Sequence, residues 1–184
     1  MSLDRLPPIP EAEQTEAQRA VSTELVSGPR GKLAGPFVPL LRSPELMRRV
    51  QKVGEYLRFE SALEDRIKEL AILIVARHWS QPYEWSFHLP LALKAGVTRQ
   101  TATAIAEGLR PDALTPDEAA AYEFLTELLE TRQVGEEAYT RALVAFGEAG
   151  VVDLVGFGGY YALLAMAMNT ACTPAEEAAI PLRI

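Results

Sequence analysis

Cysteine, histidine and runs of like charge are scarce in this chain. A single cysteine, Cys172, allows neither an intramolecular disulfide nor Cys-x-x-Cys chemistry, and it suits a reducing compartment. Cys172 itself reads as a small buried or half-exposed residue. With only two histidines, His78 and His88, there is little nitrogen for a metal site, so no metal is expected. Eighteen basic residues stand against 25 acids, a net charge of -7, and no lysine or arginine run offers a phosphate-binding footprint. Nucleic acid and anionic membrane are therefore poor partners. In place of a charged-then-apolar leader the chain has Asp4, Arg5 and three prolines, and a cytoplasmic protein is expected. The uncharged stretch from Leu154 to Met168 falls short of the about 20 apolar residues a membrane span needs. Its GFGG segment, Gly156 to Gly159, lacks the preceding strand and the lysine ending of a phosphate loop, and reads as helix packing. No segment alternates apolar and polar residues with period two, which leaves an all-α fold.

What is present is a series of helix boundaries. Six prolines between Pro7 and Pro39 leave room for one short helix, near Glu11 to Val26. Residues 1–42 thus read as a proline-rich arm and residues 43–184 as a helical domain. Ser43, Pro44 and Glu45 form a helix start, and that helix should reach about Leu57. Asp65 to Trp79 is apolar all round, the mark of a buried helix. Pro82 opens the next helix, Pro90 should kink it just past His88 and free a carbonyl, and Gly96 stops it. Thr98 caps a short helix to about Glu107, and Thr115 to Glu118 form a capping box heading a helix through Glu130. Two more helices are expected, Glu136 to Phe146, ended by Gly150, and Asp153 to Ala171.

Four polar residues stand out against this apolar background. Glu69, Gln81, Glu84 and His88 lie at offsets 0, +12, +15 and +19, and with Pro82 in a first turn the last three share one helix face. A short turn at Trp79 to Gln81 would fold the buried helix back antiparallel and bring Glu69 towards them. An acid beside seven consecutive apolar residues is costly to desolvate unless paired, and Arg66, three residues earlier, is the structural partner to weigh. Two carboxylates and an imidazole make a proton-transfer set. Trp79, Tyr83, Trp85 and Phe87 crowd the same turn, and such an aromatic wall would raise carboxylate pKa values. Glu84 and His88 could share a metal, but no His-Glu-x-x-His or repeated Glu-x-x-His pair accompanies them. His78, at the end of the buried helix, reads as a packing residue.

The spacing Glu, eleven residues, Cys-x-x-Cys, three residues, His is the signature of the alkylhydroperoxidase D and carboxymuconolactone decarboxylase superfamily. This chain resembles it, with Glu69 and His88 in place and Gln81 and Glu84 where the two cysteines would be. RLPPIP, RIKELAILIVARHW, YEWSFHLPLALKAGV and VVDLVGFGGYYALLAMAMN resemble the decarboxylase-type branch, so the likeness runs from about Arg5 to Asn169. It implies an alkylhydroperoxidase D-like helical bundle, a homotrimer or hexamer, and a cofactor-free lyase acting on a small lactone or unsaturated carboxylic acid. Glu69, Glu84 and His88 would be catalytic, with Gln81, Trp85, Arg77 and Tyr83 around the substrate. Arg77 and Arg66 are the nearest candidates for its carboxylates. The rival reading is a non-catalytic oligomeric ligand-binding protein of the same fold. Thiol peroxidase activity of the sister branch needs an attacking and a resolving cysteine, which Gln81 and Glu84 do not supply.

Overall fold

The computed structural model describes residues 4–183, and among them eight α-helices and no strand are found. Helix α4, Asp65–His78, lies at the centre, with every residue from Leu70 to Ala76 buried. It packs against α5 (Pro82–Ala95), α6 (Arg99–Glu107), α7 (Pro116–Thr131) and α8 (Glu136–Ala171). A chain apolar on every face demands such enclosure, since each exposed side would forfeit hydrophobic stabilisation.

The antiparallel α4–α5 hairpin forms as expected. Its turn places Ser80 at φ 47°, and Gln81 then caps α5, its side-chain oxygen accepting from the Tyr83 N–H at 2.6 Å. Helix α5 continues through Pro90 and stops at Gly96, which takes φ 108°. Helix α6 starts on the Thr98 hydroxyl, and at the head of α7 the Thr115 N–H donates to the Glu118 carboxylate at 2.9 Å.

Two expectations are corrected. Arg66 does not neutralise Glu69; it turns to α7, bonding Asp117 at 2.6 Å and Glu118 at 2.8 Å. Three residues separate Arg66 from Glu69, yet two acids at a neighbouring helix's N-terminus hold the guanidinium better than one on its own helix. The second correction concerns the last helices: the first ends at Phe146 as expected, but the non-helical residue is Gly147 and not Gly150. They join across a kink at Gly147, whose φ of 68° and ψ of 177° favour glycine, while Gly150 stays helical and buried. Joined in this way, α8 is long and apolar enough to cross a membrane by length and composition, but more than half of that stretch is buried, the mark of a core helix.

The first forty residues carry more structure than one short helix. After a 3-10 turn at Glu11–Glu13 come α1 (Glu16–Ser27) and the four-residue α2 (Phe37–Leu40), both packed against α3 (Pro44–Phe59). Val21, Leu25, Phe37 and Leu41 join the same apolar core as α4. The loop between α1 and α2 consequently lies against the bundle, close to the face of α5 that carries Glu84 and His88.

Candidate active site

Glu69 and His88 meet. The His88 Nδ1 lies 2.8 Å from Glu69 Oε2, so the carboxylate accepts the Nδ1 proton and leaves Nε2 as the free nitrogen of a neutral ring. The imidazole is 5% exposed and stands edge-on to Tyr161 and Phe87, with ring centroids 5.4 and 5.1 Å away. Burial pulls its pKa below the ordinary imidazole value; the Glu69 bond opposes this, and Arg58 and Arg30 add to it.

Glu84, one turn before His88, is 3% exposed, and neither of its carboxyl oxygens has a hydrogen-bond partner. Desolvation holds its pKa well above the usual carboxylate range, so the side chain is kept as a neutral acid. Glu84, His88, Tyr83, Phe87 and Tyr161 line one cleft, with about 530 Å³ of empty space including its open mouth. Burial pushes the neighbouring Tyr160 phenol up to about 12 and holds that of Tyr161 well above the ordinary phenol value, so both remain protonated.

The mouth of this cleft is cationic. Arg30 and Lys32 from the α1–α2 loop and Arg58 from α3 line it, and none of the three has an acidic partner within 4.0 Å among the described residues. Lys32 and Arg58 flank the Phe87 ring at 5.8 and 6.0 Å. Glu69 lies behind His88 and opens instead onto a second cleft, which it shares with Arg58, Lys68 and Lys94. The Glu69–His88 pair and Arg58 therefore separate two solvent-facing spaces.

Of the residues expected around a substrate, only Tyr83 lines the cleft with Glu84 and His88. Trp85 is 1% exposed and donates its indole N–H to the Ile180 carbonyl at 2.7 Å, clamping the C-terminal tail. Gln81 is spent on structure: besides capping α5, it donates to Asn169 Oδ1 at 2.8 Å, and Asn169 in turn donates to the Trp79 carbonyl. Arg77 faces a different cleft with His78, Tyr122 and Glu130. Arg66, in its α7 ion pairs, is committed elsewhere. Trp79 is likewise outside the cleft, and the aromatic wall is completed by Tyr161 from α8 instead. Sequence reasoning missed Arg30, Lys32 and Arg58. The one available signal was the segment GPRGKLAGP at residues 28–36, two cations set among glycines and prolines.

Among the described residues no three His, Cys, Asp or Glu side chains are grouped as metal ligands. Residues 44–127 match the model of the carboxymuconolactone decarboxylase family, a span that holds Glu69, Glu84 and His88. Over that span the chain is similar to the carboxymuconolactone decarboxylase family. Its fold is similar to that of a crystal structure from Ralstonia eutropha JMP134, described as an alkylhydroperoxidase AhpD core and an uncharacterized peroxidase-related protein. The TM-score is 0.75 over 96% of this chain and 95% of that one, at 16% sequence identity, a likeness of fold alone. No curated protein matches the sequence.

Proposed function

We propose that the cleft is the active site of a cofactor-free acid–base lyase that decarboxylates a small unsaturated carboxylic acid or lactone acid. The observation that carries this reading is the pairing of two differently prepared groups in one cleft. Glu84 is a buried neutral acid with a proton to give, and His88 is a neutral imidazole with Nε2 free and Nδ1 held by Glu69. When the bond to the departing carbon dioxide breaks, its electron pair passes into the substrate's conjugated carbonyl system. Glu84 then supplies the proton for the new C–H bond and is left as a carboxylate, which is reprotonated from solvent before the next turnover. His88 offers Nε2 as an acceptor for a substrate hydroxyl or acid proton, and Glu69 fixes the tautomer that makes this possible. The unpaired cations at the mouth favour an anionic substrate and stabilise the electron-rich intermediate.

Cys172 lies at the end of α8, in the left-handed conformation, and does not line the cleft, so thiol chemistry is no part of this reading. A cytoplasmic homotrimer or hexamer that binds neither nucleic acid nor membrane goes with it. The test is carbon dioxide release from a panel of small unsaturated acids and lactone acids. Release that disappears in Glu84→Gln supports the lyase. Tight binding of panel members with no release from any of them replaces it with the ligand-binding reading.

A further inference from the structure

We propose that Arg30 and Lys32, on the loop between α1 and α2, recognise the anionic end of the ligand, so that the N-terminal arm is a working wall of the site. The inference rests on the acid–base reading for the location of the ligand, but binding and turnover are separately measurable.

Arg30 is held as a recognition group is held. Its guanidinium donates to the Tyr160 hydroxyl at 3.2 Å and stacks 4.7 Å from the centre of the Phe37 ring. The fit depends on Gly54 of α3, where a Cβ would stand 2.4 Å from Arg30 Nη2 and 2.0 Å from the Tyr160 oxygen. The loop is pinned at its other end by Gly35, at φ 58°, where a Cβ would fall 2.4 Å from the Tyr83 ring. Arg30 Nε is nevertheless buried without a partner, and no acid lies within 4.0 Å of the side chain among the described residues. An ordered guanidinium with an unused N–H and no counter-ion is preorganised for a carboxylate, whose two oxygens match its fork.

Lys32 differs in kind. It is exposed, with its ammonium 5.8 Å from the Phe87 ring centre at the mouth, and it acts as a point charge that draws anions in. In a chain of net charge -7, three cations lining one cleft, none of them in an ion pair among the described residues, are not a sample of the average surface. At the cleft floor, unpartnered Glu84 supplies an independent polar contact for the other end of the ligand. Between the two lie Tyr83 and Phe87, stacked with planes 7° apart. The ligand class is thus a small, flat, unsaturated carboxylate bearing a second oxygen function at the far end.

The probe is cis,cis-muconate, a planar six-carbon dicarboxylate, compared with its dimethyl ester by titration calorimetry at low and raised salt. Wild type is expected to bind the diacid and not the diester, with affinity falling as salt screens the charges. Arg30→Gln should weaken binding by about tenfold to a hundredfold, the worth of hydrogen bonds to a charged group, and Arg30→Lys should not restore it. Lys32→Gln should weaken it by about threefold at low salt and flatten the salt dependence. Because Lys32 is exposed and makes no hydrogen bond, that variant reports on recognition even if Arg30→Gln melts early. No binding to wild type, equal binding of the diester, or unchanged affinity and salt dependence in Lys32→Gln overturns the proposal. Diacid binding that depends on both residues while no acid is decarboxylated sinks the lyase and leaves this inference standing. Decarboxylation at wild-type efficiency by both variants does the reverse.

Discussion

Glu84 and Glu118 are equally buried, each 3% exposed, and they are treated in opposite ways. Glu118, in the first turn of α7, accepts the Thr115 N–H at 2.9 Å and pairs with Arg66 at 2.8 Å. Glu84, in the first turn of α5, has no partner on either oxygen. Both sit where a helix dipole favours an acid, so position along the helix does not separate them. Surroundings do: Glu118 meets a cation brought by α4, whereas Glu84 meets aromatic rings and an open cleft. An acid whose hydrogen bonds are complete contributes to holding the fold. An acid left buried without them costs stability, and the cost is retained where a ligand or a reaction uses the group.

Substitutions that keep shape and remove charge separate the two acids. The largest effect is expected on turnover, once a substrate is found: Glu84→Gln and His88→Ala should each lower it by about a hundredfold to ten-thousandfold, the worth of a positioned acid or base. Glu118→Gln should leave turnover per folded molecule unchanged. Rates measured on all three, with circular dichroism to count folded protein, decide the matter. Full activity in Glu84→Gln would make Glu84 as structural as Glu118.

Stability should show the mirror image. Glu118→Gln keeps the capping geometry but loses the charge facing Arg66, and should cost about 1.5–3 kcal/mol in urea unfolding. The cost stays below that of a wholly orphaned charge because Asp117 still holds the guanidinium at 2.6 Å. Glu84→Gln forfeits no hydrogen bond, so its unfolding midpoint at neutral pH should equal or exceed that of wild type. A drop comparable to that of Glu118→Gln would reveal a partner for Glu84 in solution.

The pH dependence sharpens the contrast further, and here the sign matters. The pKa of Glu84 is raised in the folded protein, so its stabilising contribution is complete below the ordinary carboxylate pKa and is lost as pH rises through the folded value. The pKa of His88 is lowered, so its contribution is complete above the ordinary imidazole pKa and is lost as pH falls through the folded value. Stability should therefore decline on both sides, with Glu84 responsible for the alkaline limb. Glu84→Gln should flatten that limb, which in wild type steepens to at most about 1.4 kcal/mol per pH unit. Unfolding midpoints between pH 5 and 9 that run parallel for the two proteins would contradict a neutral Glu84.

Caps, prolines and the apolar run of α4 made most of the fold legible in the sequence, because these signals act within one or two turns of chain. The Glu69–His88 contact was legible for a related reason: a tight turn after a buried helix leaves its two arms one pairing. Rotation about α5 explains what went astray. Glu84 and His88 are four residues apart and share a face, whereas Trp85 is one step of about 100° further round and points to the core and the tail. Arg30, Lys32 and Arg58 were illegible because their meeting depends on loops closing across the bundle. The break in α8 failed on a finer point. Gly147 and Gly150 look alike in sequence, and the tertiary packing that keeps Gly150 helical and puts the non-helical turn at Gly147 is not written locally.

The smallest expected effect is at Cys172, and it tests whether thiol-based redox chemistry has a hidden place here. Cys172 ends α8 at φ 57°, half-exposed, its thiol 3.8 Å from the Asn169 carbonyl. Asn169 is the residue that ties α8 to Gln81 and the α4–α5 turn, so the thiol touches the frame of the site but not its cleft. Serine is a close match in size, and the long contact of the thiol with the Asn169 carbonyl is weak enough to lose at little cost. Cys172→Ser should therefore shift stability by no more than about 0.5 kcal/mol and leave turnover unchanged. Neither protein should consume peroxide at a rate that depends on a thiol reductant, because with one cysteine no resolving partner exists within the chain. Reductant-dependent peroxide consumption by wild type, lost in the serine variant, would move the chemistry from the Glu84 cleft to the end of α8 and overturn the contrast from which these tests are drawn.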